Sequence, residues 1–214
     1  MKDAIVVNGI ILKVSDVGEY DRRCVILTKE TGKVTVFARG AKRMKSPYLA
    51  ATNPFCYGKF TLFPSKDAYS LAGSEISNYF DELRSDYEKT ILGMFFLEVA
   101  DYYSRENNDD FELMKLLYVS LLALAKGKFS NRLINAIYII KAIVVNGEFP
   151  GVPGNRNVSD IIKYTINRIA ESDVVNLYSF DLSEEYTQEL YELSQFYLKT
   201  CFYGNFKTLE FLKG

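Results

Sequence analysis

Four basic side chains fall within one eight-residue stretch, Arg39–Ser46 (RGAKRMKS), and no acidic residue lies among them. The whole chain carries 26 Lys and Arg against 27 Asp and Glu, so this stretch is a local excess of positive charge. Closely spaced cations attract polyanions, because neutralising each phosphate releases its bound counterions. Gly40 would let a phosphate approach the backbone, and Ser46 could donate to a phosphate oxygen. The stretch therefore predicts a phosphate-binding loop made by Arg39, Lys42, Arg43, Lys45 and Ser46.

Further positive charge lies near this loop in the sequence, at Arg22, Arg23 and Lys33. Residues 1–80 hold 12 Lys and Arg against 7 Asp and Glu, a net charge of +5, whereas residues 81–214 hold 14 against 20, a net charge of −6. Such an asymmetry suggests two modules with different partners, of which the basic one is the candidate for nucleic acid. The alternative is an ordinary solvated surface loop.

Aromatic residues near the loop could stack on the bases of a single strand, and the candidates are Phe37, Tyr48 and Tyr57. Phe37 belongs to an alternating segment, 33–39, whose outer face also carries Lys33 and Arg39. Aromatic side chains dominate small cores, so each of the three has a structural role as the alternative interpretation.

The sequence contains few residues in arrangements that are typical of catalytic sites. It has no His, which removes the commonest acid–base catalyst and the commonest metal ligand. Cys24, Cys56 and Cys201 form no C-x-x-C pair, so we expect reduced, unpaired thiols. The acidic pairs 109–110 and 184–185 lie near predicted helix starts, where acids favour the helix dipole. Without a phosphate-binding glycine loop, a nucleophile elbow or metal-ligand spacing, we expect neither an enzyme nor a cofactor.

The N-terminal sequence argues against export. Its apolar run is short and has an acid at position 3, whereas a signal peptide needs a longer apolar core and a small-residue cleavage site. No run reaches the roughly 18 apolar residues of a membrane span. We therefore expect a cytoplasmic protein.

Segments of β-branched and alternating residues predict five strands, at 4–14, 20–29, 33–39, 54–64 and 68–76. The basic loop and a helical turn at 48–51 separate the third predicted strand from the fourth. Three strands, a connector with a short helix and two more strands make up the order of an OB-fold, whose open face binds oligonucleotides. An SH3-like barrel or a small open sheet would use similar segments.

From Asp81 onwards the apolar residues recur at helical spacing. This pattern predicts helices at 81–104, 109–126, 131–146, 159–171, 184–201 and 206–212. Asn108 or Asp109 is the predicted cap of the second of these helices, and Gly127 ends it. We therefore predict an α+β fold, with a five-stranded OB-fold β-barrel in residues 1–78 followed by an all-α domain in residues 79–214.

Short motifs spread along nearly the whole chain resemble those of the bacterial RecO family, the recombination mediators of DNA repair. They are GIILK at 9–13, GEYDR at 18–22, LTKETGK at 27–33, ARGAKR at 38–43 with Ser46, Pro54-Phe55, FDELRSDY at 80–87, Glu98, Tyr197-Leu198 and LEFL at 209–212.

The resemblance implies an N-terminal OB-fold and a helical C-terminal domain, in a family that is not known for hydrolytic activity. It implies binding of single- and double-stranded DNA, annealing of strands coated with single-stranded DNA-binding protein (SSB), and cooperation with RecR in loading RecA. The acidic, apolar tail of SSB would need an apolar groove rimmed by cations, for which Lys128, Arg132 and Lys141 are candidates. A protein-interaction adaptor and an RNA-binding OB protein are the alternatives.

The chain departs from the family in one place. Many members carry a zinc module with two cysteine pairs after the third helix of the C-terminal domain, and here residues 149–157 contain no cysteine. Because zinc needs about four thiolate or imidazole ligands, we expect no metal and a zinc-less segment at about 148–182.

Overall fold

The N-terminal part of the chain is a β-barrel. A computed structural model describes residues 3–154 and 156–212. The strands are β1 (Ile5–Val17), β2 (Asp21–Thr28), β3 (Gly32–Ala38), β4 (Tyr57–Pro64) and β5 (Tyr69–Asn78). They close in the order β1-β2-β3-β5-β4, with β1 pairing back to β4. This order, with a helical turn between β3 and β4, confirms the predicted OB-fold barrel.

The seam between β3 and β5 is the weakest part of the barrel. These strands run parallel and pair only through Val36–Tyr69 and Phe37–Ser70, whereas all other neighbours are antiparallel with longer registers. The predicted alternation of β3 is confirmed, since Val34 and Val36 are buried inside the barrel and Phe37 is exposed. The seam therefore leaves the outer face of β3 open.

Two strand boundaries differ from the sequence prediction. β1 continues to Val17, beyond the predicted end at residue 14. β4 begins at Tyr57 and not at residue 54, because Phe55 has a φ of +74°, which an extended strand does not allow.

Inside the barrel, Cys24 and Cys56 are free, buried thiols, and burial raises the pKa of Cys24 to about 12.

The rest of the chain is helical. The helices are α1 (Tyr48–Ala51), α2 (Asp81–Arg84), α3 (Tyr87–Tyr103), α4 (Phe111–Lys126), α5 (Asn131–Val145), α6 (Asp160–Glu171) and α7 (Glu184–Cys201). Single turns of 3-10 helix lie at Val174–Asn176 and Lys207–Glu210. The predicted helix at 81–104 is in fact two, because Asp86 accepts a hydrogen bond from the Lys89 N–H and starts α3.

Caps explain three other helix ends. Ser130 and Ser159 cap α5 and α6 through their hydroxyls, and Gly127 ends α4 in the left-handed region. The predicted cap of α4 is wrong: the residue at that position is Asp110. Its carboxylate instead accepts hydrogen bonds from the Arg105 N–H and the Asn108 amide, which fixes the loop after α3.

Helix α5 runs through the centre of the core, with residues 133–143 all buried. Tyr138 stacks on Phe96 with ring centroids 4.1 Å apart, and its hydroxyl donates to the Phe96 carbonyl at 2.8 Å. Three barrel residues, Ile10, Leu12 and Leu27, join the same apolar cluster. The barrel and the helices therefore pack directly on each other.

The segment where the sequence prediction was least defined, 148–182, contains α6 and the first 3-10 turn; Asn155 lies outside the described residues. The Tyr197 hydroxyl donates to the Gly151 carbonyl at 2.8 Å, which anchors the segment to α7. Within residues 3–154 and 156–212, no group of three or more His, Cys, Asp or Glu side chains is placed to hold a metal ion. In the same ranges, no helix combines the length and apolarity that crossing a membrane requires.

Candidate nucleic-acid interface

The basic loop after β3 is fixed to the turn between β1 and β2. Gly40 has a φ of +65°, and its N–H donates to the Asp21 carboxylate at 2.7 Å. The Lys42 N–H donates to the Tyr20 carbonyl at 2.9 Å, and the Arg43 guanidinium lies over the Tyr20 ring, 5.2 Å from its centroid. The loop is thus held in one place by its backbone, while its side chains extend from it.

The basic side chains of the loop differ in how they are paired. Arg39, Arg43 and Lys45 are exposed and form no ion pair with any residue that the structure describes. Lys42 is paired with Asp16, with the nitrogen and oxygen 2.7 Å apart. The Ser46 hydroxyl oxygen accepts a hydrogen bond from the Tyr48 N–H at 3.2 Å, which leaves its own proton free to donate.

Arg22 lies elsewhere than the sequence prediction put it. Its Nη1 donates to the Leu49 carbonyl at 2.9 Å, the Thr52 hydroxyl at 3.0 Å and the Asn53 side-chain oxygen at 3.2 Å. Its Nε is buried without a partner among the described residues. Arg22 therefore ties β2 to α1 and positions the end of the loop, so the prediction that it contacts a phosphate is corrected.

Lys33 is also held by the fold. Its ammonium donates to the Asp101 backbone carbonyl at 2.9 Å and to the Asp101 carboxylate at 3.2 Å. Lys13 bonds the other oxygen of the same carboxylate. Burial raises the pKa of Asp101, but its bonds to the two lysines outweigh burial and the net pKa is lowered. Lys33 thus joins the barrel to α3, which corrects its predicted role at the interface.

An open cleft of about 780 Å³ lies over the seam between β3 and β5. Arg23, Phe37 and Arg39 line it. Phe37 on β3 is the register partner of Arg23 on β2, and Arg39 follows the end of β3 two residues later. Lys66, on the connection between β4 and β5, lines the opposite wall. Sequence reasoning missed Lys66, because only the β3–β5 pairing brings that connection beside β3.

The three aromatic candidates have different environments. Phe37 is 36% exposed and faces the cleft. The Tyr48 hydroxyl donates to the Ala72 carbonyl at 2.8 Å, so this ring holds α1 against β5. Tyr57 packs on Tyr118 of α4, with ring centroids 4.5 Å apart. Phe37 is therefore the one of the three that faces an open cleft.

The cations predicted to rim a groove on the helices are not brought together. Lys141 is buried and donates to the carbonyls of Ala170 and Ser172, at 2.8 and 2.7 Å, so its predicted place on a surface rim is wrong. Burial lowers the pKa of Lys141. Lys128 lies just past the end of α4 over the Phe129 ring. Arg132 alone among the three lines a groove.

That groove consists of two adjoining cavities, of about 270 and 230 Å³, where α5 and α7 meet the end of the chain. Both are lined by Asn135, Tyr191 and Leu212. Arg132 borders the first and Lys199 the second. Sequence reasoning missed Lys199, because the contact between α5 and α7 was not predictable from either helix alone.

Comparison with known proteins agrees with the barrel and with the length of the chain. Residues 1–80 match the family model of the recombination protein O N-terminal domain. The chain is 28% identical to the DNA repair protein RecO of Acetivibrio thermocellus, with 96% of this chain and 95% of that protein covered. It is 25% identical to the RecO of Clostridium perfringens strain 13, with 96% of both proteins covered. With the RecO of Clostridium acetobutylicum the identity is 37%, over 56% of this chain and 48% of that one.

Proposed function

This chain belongs to the RecO family, and we propose from that premise that it works in DNA repair as a non-enzymatic, DNA-binding recombination mediator. The observation that carries the proposal is the basic loop fixed on the β1–β2 turn. Three of its cations, Arg39, Arg43 and Lys45, are exposed and have no acidic partner within the described chain. A phosphate can bind them without first breaking an ion pair.

The proposed contact is with the sugar–phosphate backbone. Cations on flexible stems neutralise phosphates of any sequence, and the released counterions make the affinity fall as salt rises. Such contacts fix position and carry no sequence information. This suits a repair mediator, which has to act wherever DNA is damaged. In this proposal residues 1–78 form the nucleic-acid-binding domain and residues 79–214 the helical domain.

Annealing follows from the same electrostatics. Two complementary strands repel each other through their phosphates, and a protein that neutralises phosphates on both lowers that repulsion. We include in the proposal that the chain anneals strands coated with SSB and, with RecR, helps to load RecA. These activities need no proton transfer or covalent step, so no catalytic residue is assigned.

The groove between α5 and α7 is the proposed site for the acidic, apolar tail of SSB. Its apolar wall, which includes Leu198 and Phe202, suits an apolar side chain, and Arg132 and Lys199 at its two cavities suit acidic ones. Charge reversal of both cations should abolish binding of a fluorescent SSB-tail peptide. Unchanged binding would remove this groove from the proposal and leave the DNA-binding part intact.

Fluorescence anisotropy with labelled single-stranded and duplex DNA tests the proposal directly. Binding at about 50 mM salt that weakens steeply by 200 mM is expected. Absence of binding by the folded protein would favour the protein-interaction adaptor. Stronger binding to RNA than to DNA of the same sequence would favour the RNA-binding alternative, because the 2′-hydroxyl distinguishes the two. Faster annealing of SSB-coated complementary strands would establish the mediator function.

A further inference from the structure

The cleft over the β3–β5 seam differs from the basic loop beside it in its charge. Three cations line it, Arg23, Arg39 and Lys66, and so do three carboxylates, Asp21, Asp67 and Glu106, so its formal charge is zero. The basic loop, by contrast, carries cations only. A neutral cleft has little attraction for a phosphate, which indicates that its ligand is not the charged part of a nucleic acid.

The chemistry of the cleft suits a nucleobase. Phe37 presents an exposed ring on β3, with Arg23 directly across on β2 and Ser70 directly across on β5. A base can stack on such a ring, and a guanidinium plane beside the ring adds to the stack. Carboxylates accept hydrogen bonds from base edges, and a serine hydroxyl can both accept and donate them.

We infer that this cleft holds an unstacked nucleobase on Phe37, and that this contact distinguishes single strands from duplexes. The inference rests on the proposed binding of DNA and adds the part of the ligand that the cleft takes. Bases of a duplex are paired and stacked on each other, so they cannot reach Phe37 without opening. The basic loop, through Arg43 and Lys45, takes the backbone of either form. The cleft therefore distinguishes single strands from duplexes, and the adjacent basic loop provides the salt-dependent attraction to both.

Because the chain contains no Trp, a Trp placed at one position gives an unambiguous fluorescent signal. We expect the emission of Phe37→Trp to be quenched by single-stranded oligothymidine, since a base stacks directly on the indole. A hairpin duplex should bind without comparable quenching. The matched control is Tyr164→Trp, at an exposed aromatic position on α6, and its emission should change with neither ligand.

Truncation of the ring supplies the energetic test. Phe37→Ala should weaken single-strand binding by roughly 5- to 150-fold, the range for loss of one base–aromatic stack, and leave duplex binding within about twofold. The slope of log affinity against log salt should stay unchanged, because no phosphate contact is lost. Phe37→Tyr should restore binding and Phe37→Leu should not. Tyr164→Ala serves as the control, and thermal unfolding of each variant confirms that it is folded.

The outcomes separate this inference from the proposed function. If the wild-type protein binds neither single strands nor duplexes, the proposed function fails. If the wild type binds but Phe37→Ala binds single strands equally well, or Phe37→Trp is quenched equally by both ligands, the inference alone is overturned. If Phe37→Leu binds like Phe37→Tyr, the contact is apolar packing and not stacking, which also overturns it.

Discussion

The two sides of the barrel use the same kind of residue for opposite purposes. On the side that meets the helices, Lys13 and Lys33 both bond the Asp101 carboxylate, and on the open side Arg39 and Arg43 have no ion-pair partner in the described chain. Lys33 on β3 and Arg39, just after its end, even share the alternation of the exposed Phe37. The difference teaches that a cation in a strand becomes a structural or a binding residue according to what the rest of the fold places opposite it.

The comparison extends to residues that neither side exposes. Lys141 donates to two backbone carbonyls, and Arg22 donates to the Leu49 and Thr52 carbonyls and to two side-chain oxygens, so both act as cross-links between chain segments. Such a cation would have to break its hydrogen bonds to buried acceptors before it could bind a phosphate. Each buried acceptor left without a donor costs about 1–3 kcal/mol of free energy. The unpaired Arg39, Arg43 and Lys45 of the open side are free of that cost.

The largest effect is expected on the open side. The triple variant Arg39→Ala, Arg43→Ala and Lys45→Ala should lower the slope of log affinity against log salt by roughly 2 for a single strand, at about 0.7 for each lost contact. At about 0.1 M salt this corresponds to a roughly 100-fold loss of affinity. Anisotropy titrations across a salt series measure both quantities.

A control of equal charge tests whether position matters. Lys126, Lys128 and Lys207 are exposed in the helical part of the chain and, like the loop cations, form no ion pair with the described residues. Replacing all three by Ala removes the same net charge. The helical triple variant should keep most of the wild-type slope. If both triple variants lost the same slope, the general field of the protein and not the loop would attract the DNA, and the comparison of the two sides would fail.

The second effect concerns the buried cross-link at Lys141. Lys141→Met keeps the apolar stem but removes the donor shared by the carbonyls of Ala170 and Ser172. The free energy of unfolding should fall by about 2–3 kcal/mol, because two acceptors at the end of α6 lose their donor. Urea denaturation measures it. Arg132→Met, at an exposed position on the same helix, should change stability by less than about 0.5 kcal/mol.

The barrel could be predicted from the sequence because apolar and polar side chains alternate along each strand, and because the strands follow one another in the chain. The same alternation gives Arg22 the parity of Cys24 and Ile26, which face the interior. Lys141 likewise lies in a helix that is apolar on every side, where any polar residue is enclosed. By contrast, the pairing of Lys33 with Asp101 and the place of Lys66 across from β3 depend on tertiary packing. No local pattern encodes them.

The third effect concerns the ion pairs between barrel and helices. Asp101→Asn should reduce the free energy of unfolding by about 1–2 kcal/mol at pH 7, because both lysines lose their charged partner and Lys13 is partly exposed. The pKa of Asp101 is lowered in the folded protein, so its stabilisation is complete above the unfolded pKa of about 3.9 and is lost as pH falls through the folded value.

The pH dependence gives this prediction its control. The stability gap between wild type and Asp101→Asn should be constant from about pH 7 to 5 and shrink as the pH falls below about 4. Urea denaturation at several pH values measures the gap. A gap that stayed constant down to pH 2 would show that the amide disturbs packing, and that the charge of Asp101 does not link the barrel to α3.

The smallest effect is expected at Lys42. This residue is intermediate between the ion-paired lysines and the unpaired loop cations, because it lies in the basic loop but is paired with Asp16. The pair is largely solvated, with 61% of the Asp16 side chain exposed, so breaking it should cost at most about 1 kcal/mol of stability. Asp16→Ala releases the Lys42 ammonium and removes a negative charge from beside the proposed phosphate path. Single-strand affinity should therefore rise, by up to about fivefold at 0.1 M salt, and the salt slope should steepen by up to 0.7. The double variant Asp16→Ala with Lys42→Ala separates the release of Lys42 from the loss of the Asp16 charge. If the double variant keeps the gain in affinity, reduced repulsion between Asp16 and the phosphates explains it. If the double variant loses the gain, the released lysine has become a phosphate contact like Arg43.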